Sequence, residues 1–144
     1  MEVTIAKNFH FEAAHRLKDH FGKCEFIHGH SYKLELFLTG SVDPDTGVVL
    51  DFLLFDRLYY HKCEALAIAD FDHAFIIQEE DPVNVKIYAR VIEIGSPPTV
   101  ENLVLIFKNI IVDALSKDKE SYGNICGGKL ILWETERSRA EVSF

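Results

Sequence analysis

The stretch over residues 28–39 reads His-Gly-His-Ser-Tyr-Lys-Leu-Glu-Leu-Phe-Leu-Thr, and it decides the fold. Its even positions from Tyr32 to Leu38 are apolar, whereas most of the odd positions are polar. Because successive side chains of a strand point to opposite faces, this period of two predicts a half-buried β-strand. The same rule places His28 and His30 together on one face, at the beginning of that strand.

A third histidine ends the strand that precedes this one. Residues 3–15 have mostly apolar odd positions, which predicts a second half-buried strand with His15 at its end. Two strands then converge with their histidines at matching ends. Three imidazoles can hold one Zn²⁺ and leave the fourth position that catalysis requires, so we expect His15, His28 and His30 to bind zinc. Three other histidines belong to no cluster and are interpreted as surface or loop residues: His10, His20 and His61.

Cys24 lies four residues before His28, in the polar loop Gly-Lys-Cys-Glu over residues 22–25. A free cysteine is most often a small buried hydrophobe. Here, however, a lysine and a possible zinc ion would stabilise the thiolate, which is the form that abstracts a proton. Cys24 is therefore a candidate catalytic base. Cys63 and Cys126 have no such neighbours and are interpreted as structural.

The size and charge of the chain limit its function. Its 144 residues, 48% of them hydrophobic, predict a single domain over residues 1–144. A net charge of -8 argues against nucleic acid or an anionic membrane as a partner. Three irregularly spaced cysteines favour a reducing cytoplasm over a secreted disulfide scaffold. The sequence has no signal peptide and no apolar run long enough for a membrane span, so we expect a soluble, unexported protein.

The rest of the chain supplies two helices and further strands. Asp51 is the expected N-cap of a helix that stops before Asp70, and Thr99 caps a second helix with Glu101 in its first turn. Residues 71–75 are interpreted as a connection, and residues 91–94 as a short strand. Gly-Gly at 127–128 is expected to precede a strand over 129–135, followed by another over 140–144.

This order predicts the α+β class, with an antiparallel four-stranded sheet that carries two helices on one face. The apolar side chains on the other face of such a sheet must be covered as well. Its apolar positions make it a candidate for subunit association, which would also protect the sheet edges.

Two further sites each allow two interpretations. Asp72-His73 is either an ordinary loop pair or a carboxylate that orients an imidazole for proton transfer with Cys24. Glu134 shares a strand face with Leu130 and Leu132. Its carboxylate is either solvated at the rim or binds a ligand that presents paired N–H donors.

Six motifs, in this order and over nearly the whole chain, resemble the group of 6-pyruvoyl-tetrahydropterin and 6-carboxy-tetrahydropterin synthases, which have the tunnelling fold. They are Phe11-x-Ala13-Ala14-His15-Arg16-Leu17, Cys24-x-x-x-His28-Gly29-His30-Ser31-Tyr32, Gly47-Val48-Val49-Leu50-Asp51-Phe52, Asp72-His73, Pro98-Thr99-x-Glu101-Asn102 and Glu134-Thr135.

The resemblance implies roles for the residues that match these motifs. The three histidines are the zinc ligands, Cys24 is the catalytic base, and Asp72 with His73 completes the proton relay. Glu134 matches the residue that anchors the pterin through its 2-amino and N3 edge, and the motif with Thr99 and Glu101 also belongs to the substrate site. In this family subunits join their sheets into a β-barrel, usually as a homohexamer with active sites between subunits.

The implied substrate is 7,8-dihydroneopterin triphosphate. Members with a cysteine four residues before His-Gly-His resemble 6-carboxy-tetrahydropterin synthases, which release triphosphate and acetaldehyde and supply 7-deazaguanine synthesis for queuosine or archaeosine. The 6-pyruvoyl-tetrahydropterin synthases of animals have a longer spacing. Glu25 complicates this choice, because Glu-x-x-His-Gly-His resembles the branch that makes 6-hydroxymethyl-7,8-dihydropterin for folate. Glu25 is either a solvated loop acid or a second catalytic base that gives a dual activity.

Two other functions remain compatible with the residues themselves. A zinc hydrolase would make hydroxide from water and could use Glu25 as its base. A zinc-stabilised protein that binds a pterin or purine without turnover could use Cys24 as a fourth ligand.

Overall fold

The computed structural model describes residues 1–83 and 89–144. Two long strands, β1 (Glu2–His15) and β2 (His28–Ser41), pair antiparallel over their whole length. The register places Glu2 opposite Ser41 and His15 opposite His28. Both strands therefore confirm the alternating patterns, and their pairing brings the histidine-bearing ends together.

Four more strands extend this pair on both sides. They are β3 (Ala74–Gln78), β4 (Arg90–Ile94), β5 (Ile125–Thr135) and β6 (Ser138–Ser143). The sheet has the order β4-β3-β1-β2-β5-β6, and β3 runs parallel to both β1 and β4. The α+β class is confirmed, but the prediction of a four-stranded antiparallel sheet is wrong, since the sheet is six-stranded and mixed.

The difference lies mainly at β3, whose first residues fall within the predicted connection over residues 71–75. Phe75, Ile76 and Ile77 are consecutive and all buried. A strand buried on both faces has no alternation of polar and apolar residues, as is usual for parallel strands, so a period of two cannot detect it. The short strand expected over residues 91–94 is present as β4.

The helices are α1 (Leu53–Tyr60), α2 (Val100–Lys117) and the single turn α3 (Lys119–Tyr122). The first predicted helix is too long. His61 has an extended conformation, with φ -64° and ψ 131°, which ends α1 at Tyr60, and a 3₁₀ turn over Ile68–Phe71 follows. The N-cap of α1 is Phe52 rather than the predicted Asp51, although Asp51 Oδ1 accepts a hydrogen bond of 2.8 Å from Leu53 N at the start of the helix.

The second predicted helix is confirmed as α2. Thr99 is its N-cap, with a side chain that accepts a hydrogen bond from Asn102 N. Strand β5 begins before Gly128 rather than after it. A Cβ at Gly128 would lie 2.5 Å from the ring of Phe144, so the glycine leaves room for this ring while the backbones of Gly128 and Phe144 pair through two hydrogen bonds.

Both longer helices contribute to the hydrophobic cluster that covers the apolar face of β2. Leu34 and Leu36 on the strand are buried in it together with Leu58 of α1 and Phe107 of α2. Removing this apolar area from water stabilises the fold, and it fixes the direction in which the even positions of β2 point. At the end of the strand the same face passes from leucines to Tyr32 and then to histidines.

Candidate metal and pterin site

The three histidines predicted as metal ligands meet at the paired ends of β1 and β2. His15 lies opposite His28, and Ala13 lies opposite His30 in the register. One ligand nitrogen from each imidazole lies within 4.8 Å of the other two. Strand pairing alone therefore brings together three groups that the sequence separates.

Backbone carbonyls fix the orientation of two of these rings. His15 Nδ1 lies 2.7 Å from the carbonyl oxygen of Pro98, and His28 Nδ1 lies 2.7 Å from that of Phe26. A carbonyl only accepts hydrogen bonds, so in each ring Nδ1 carries the hydrogen and Nε2 carries the lone pair. This is the arrangement in which histidine binds a metal through Nε2.

The donor atoms fit a cation. With these tautomers, two lone pairs face each other across the 2.9 Å between the Nε2 atoms of His15 and His28, which is unfavourable without a positive charge between them. His30 Nε2 is buried and has no hydrogen-bond partner within the described residues. Burial lowers the pKa of His15 to about 4 and also lowers that of His30. Both rings are thus neutral near pH 7, as metal ligands must be.

Cys24 lies beside this cluster, in a 3₁₀ turn over Lys23–Glu25. Leu17 N donates a hydrogen bond of 2.8 Å to the carbonyl oxygen of Cys24, which closes the loop that follows β1. As a result Cys24 is half-buried in a concavity of about 620 Å³ that His15 also lines. The cysteine and the metal ligand predicted from the sequence therefore share one cavity.

Three predicted substrate-binding residues line the same concavity: Thr99, Glu101 and Glu134. Thr99 and Glu101 belong to the first turn of α2. Glu134 belongs to β5, and its Oε1 lies 3.5 Å from His15 Nε2 and 3.7 Å from His30 Nε2. Its side chain is 23% exposed, so the interpretation of a fully solvated rim carboxylate does not describe it.

Asp72 and His73 lie outside the concavity that Cys24 lines. Asp72 Oδ1 accepts a hydrogen bond from Glu12 N, which lowers the pKa of Asp72, and it lies 3.0 Å from His73 Nδ1. The His73 side chain is 80% exposed and lines a second cavity, of about 410 Å³, with Glu12 and Gly29. The carboxylate does orient the imidazole, but this pair does not line the concavity of Cys24 within one chain.

Glu25 follows Cys24 in the same turn, but its side chain is exposed and is not among those that line the concavity. Three basic residues that the sequence did not indicate do line it among the described residues: His20, Arg137 and Arg139. His20 belongs to the loop closed by the bond between Leu17 and Cys24. Arg137 follows Glu134-Thr135 in the turn between β5 and β6. Its position next to that motif is the one feature of the sequence that indicates a place near the site.

A family model described as 6-pyruvoyl tetrahydropterin synthase matches residues 4–143. The chain belongs to this family. It is 30% identical to the 6-carboxy-5,6,7,8-tetrahydropterin synthase of Rickettsia typhi, over 97% of this chain and 99% of the relative. It is 29% identical to the enzyme of the same name from Aquifex aeolicus, over 98% of each chain.

Solved structures of the family share the fold. A 6-pyruvoyltetrahydropterin synthase from Plasmodium vivax, in a variant that replaces a catalytic glutamate by alanine, superposes with a TM-score of 0.76 at 19% identity, over 100% of this chain and 98% of that one. The Plasmodium falciparum synthase gives a TM-score of 0.75 at 21% identity, over 99% and 98% of the two chains. In residues 1–83 and 89–144, no helix has the length and apolarity needed to cross a membrane.

Proposed function

We propose that this protein converts 7,8-dihydroneopterin triphosphate and one water molecule to 6-carboxy-5,6,7,8-tetrahydropterin, with loss of triphosphate and acetaldehyde, in a zinc-dependent reaction. One observation supports it most: three imidazoles converge on one point, and one of them, His15, lines a cavity together with Cys24 and Glu134. Relatives that the chain covers almost completely are named for the same product. This product would supply 7-deazaguanine synthesis.

Zinc is the metal that we propose for His15, His28 and His30. Neutral imidazole nitrogens suit Zn²⁺, and three of them leave a position for a substrate. When bound there, zinc would supply Lewis acidity toward the hydroxyl groups of the pterin side chain. The two carbonyls that fix His15 and His28 hold these ligands in the required tautomer before any metal binds.

Cys24 is the proposed base. It is half-buried beside His15, in a cavity that can admit the side chain of the substrate. A thiolate in this position would take a proton from the carbon or oxygen atoms held next to the metal. The backbone bond from Leu17 N restrains the loop that carries it.

Carboxylates at the same cavity are suited to the pterin ring. The 2-amino group and N3 of a pterin form a paired N–H edge, which matches the two oxygens of one carboxylate. Glu134 is the residue that the resemblance assigns to this contact, with Thr99 and Glu101 as further substrate-binding residues.

The triphosphate requires positive charge, which is scarce on a chain of net charge -8. His20 and Arg137 line the cavity from the loop after β1 and from the turn between β5 and β6. We assign them to the phosphate groups, because a guanidinium group binds phosphate oxygens through charge-assisted hydrogen bonds and an imidazole N–H donates hydrogen bonds to them.

A second subunit would complete the active site. His73, which Asp72 contacts, lines a different cavity from Cys24 in one chain, and the pair can relay protons to Cys24 only if another copy presents it. The sheet has edges at β4 and β6 through which copies could join. We therefore propose a homohexamer in which the sheets form a barrel and the active sites lie between subunits.

Formation of 6-hydroxymethyl-7,8-dihydropterin by Glu25 is the second candidate. Glu25 lies next to Cys24 in the same turn, and a Plasmodium neighbour of the same fold is described as having a catalytic glutamate. The exposure of Glu25 outside the cavity favours Cys24 as the base for the main reaction.

The experiment compares Cys24→Ala with Glu25→Ala in the zinc-loaded protein. We expect Cys24→Ala to keep zinc and pterin binding and to lose carboxy-product formation by about 10²- to 10⁴-fold. Glu25→Ala should keep that product and lose any 6-hydroxymethyl-dihydropterin. Loss of zinc in Cys24→Ala would identify Cys24 as a ligand instead, and full activity of Cys24→Ala would refute its role as base.

A further inference from the structure

The carboxylate of Glu134 lies close to the Nε2 atoms of two of the histidines. Its Oε1 lies 3.5 Å from His15 Nε2 and 3.7 Å from His30 Nε2. These separations are long for hydrogen bonds. They are close to the distance between two ligand atoms of one tetrahedral metal ion, which is about 3.3–3.4 Å for metal–ligand bonds of roughly 2.0–2.1 Å.

The charges of these groups also indicate a metal ion between them. The Nδ1–H of His15 is used by Pro98, so His15 presents a lone pair rather than a proton toward Glu134. A carboxylate that faces the lone pair of a neutral imidazole is repelled by it. A cation between the two groups reverses the sign of the interaction, because both then act as ligands.

Alternation along β5 places Glu134 on the side of the sheet that carries the histidines. Trp133 lies on the opposite face, where its indole Nε1 donates a hydrogen bond of 2.7 Å to Glu35. Trp133 pairs with Arg139, and Thr135 pairs with Ser138, so Glu134 is also the extra residue of a β-bulge. Bulges commonly occur next to functional sites, and this one lies where the carboxylate meets the three histidines.

We propose that Glu134 is the fourth metal ligand of the substrate-free protein and that it leaves the metal when substrate binds. The carboxylate then becomes available to the N–H edge of the pterin. Glu134 therefore has two successive partners, and it closes the metal site against water until the correct ligand arrives. This inference rests on the proposed metal site of His15, His28 and His30.

The test uses Co²⁺, whose visible absorption reports its ligands, in the full-length protein. Glu134→Gln has almost the same shape without the charge, and Glu136→Gln is a matched control two residues away, where the side chain is exposed and does not line this cavity. We expect Glu134→Gln to bind Co²⁺ about 10- to 100-fold more weakly and with an altered spectrum. Glu136→Gln should match the unsubstituted protein. Adding neopterin to the unsubstituted protein should shift its spectrum toward that of Glu134→Gln.

Two results would overturn the inference. If Glu134→Gln keeps the affinity and spectrum of the unsubstituted protein, the carboxylate does not bind the metal. If neopterin binds without changing the cobalt spectrum, the exchange of ligands does not occur. A third result has a different meaning. If His28→Ala keeps the cobalt spectrum of the unsubstituted protein, the three histidines do not hold the metal, and the proposed metal site itself is wrong. Circular dichroism of each variant separates these results from misfolding.

Discussion

His15 donates a hydrogen bond of 2.7 Å from Nδ1 to the carbonyl oxygen of Pro98, the residue immediately before the N-cap of α2. Asn102 holds the same loop, because its side-chain Nδ2 donates a hydrogen bond of 2.9 Å to the carbonyl oxygen of Pro97. The start of α2 thus orients an imidazole of the candidate metal site that belongs to a distant strand.

Replacing Asn102 by alanine should therefore weaken metal binding without removing a ligand. One lost hydrogen bond of about 0.5–1.5 kcal/mol corresponds to an affinity about two- to tenfold lower. Competition with a chelator measures this affinity. Asn8→Ala, at an exposed position of β1, is the matched control and should leave the affinity unchanged. Equal affinities for the two variants would contradict a role for the loop.

The metal-free protein should lose stability on acidification because of His15. Burial lowers the pKa of this ring from 6.5 to about 4, so between these values the unfolded chain binds a proton that the folded chain does not. The free energy of unfolding then falls as pH decreases through this window, by about 2–3 kcal/mol at pH 4.5.

Urea unfolding in the presence of a chelator, at pH 7 and pH 4.5, measures this contribution. Carboxylates titrate in the same window, so the useful quantity is the difference from His15→Gln, whose stability should depend less steeply on pH. His10→Gln is the control, since that side chain is exposed. The same pH dependence in all three proteins would refute this prediction.

Arg137→Gln should raise KM for the triphosphate substrate about tenfold and leave kcat nearly unchanged, because it removes one charge-assisted contact with the phosphates. Inhibition by inorganic tripolyphosphate should weaken in parallel. Arg57→Gln provides the control, since Arg57 is exposed on α1, away from the lining of this cavity. A KM equal to that of the control would exclude Arg137 from the phosphate site.

Active sites shared between subunits can be detected by mixing two inactive variants. Cys24→Ala and His73→Ala subunits, reassembled in equal amounts, should recover about a quarter of the full activity, because a quarter of the interfaces combine an intact cysteine with an intact histidine from the neighbour. Light scattering gives the subunit number of each sample. If the mixed assembly stays inactive while each variant alone assembles normally, the relay does not cross between subunits.

The sequence predicted the part of the site that depends on strand register. An alternating pattern in β1 and β2 sets which face each side chain occupies, and it was sufficient to align His15 with His28 and His30. The N-cap of α2 was also predictable, because Thr99 caps through a local hydrogen bond.

Other features depend on long-range packing and could not be predicted in this way. Strand β3 is apolar on both faces, so periodicity did not distinguish it from a connection. His20 lines the cavity because its loop is closed by the hydrogen bond between Leu17 N and the carbonyl oxygen of Cys24. No local sequence pattern predicts this hydrogen bond. Alternation along β5 sets the face of Glu134, but its approach to His15 and His30 depends on the pairing of β5 with β2, which no local pattern specifies.

The most direct test of the proposed function is mass-spectrometric product analysis after the zinc-loaded protein is incubated with 7,8-dihydroneopterin triphosphate. A chelated sample and the His28→Ala variant serve as controls. We predict 6-carboxy-5,6,7,8-tetrahydropterin, with acetaldehyde and tripolyphosphate in equal amounts, in the zinc-loaded sample alone. Exclusive formation of 6-hydroxymethyl-7,8-dihydropterin, or no turnover by fully metal-loaded protein, would contradict the proposed function.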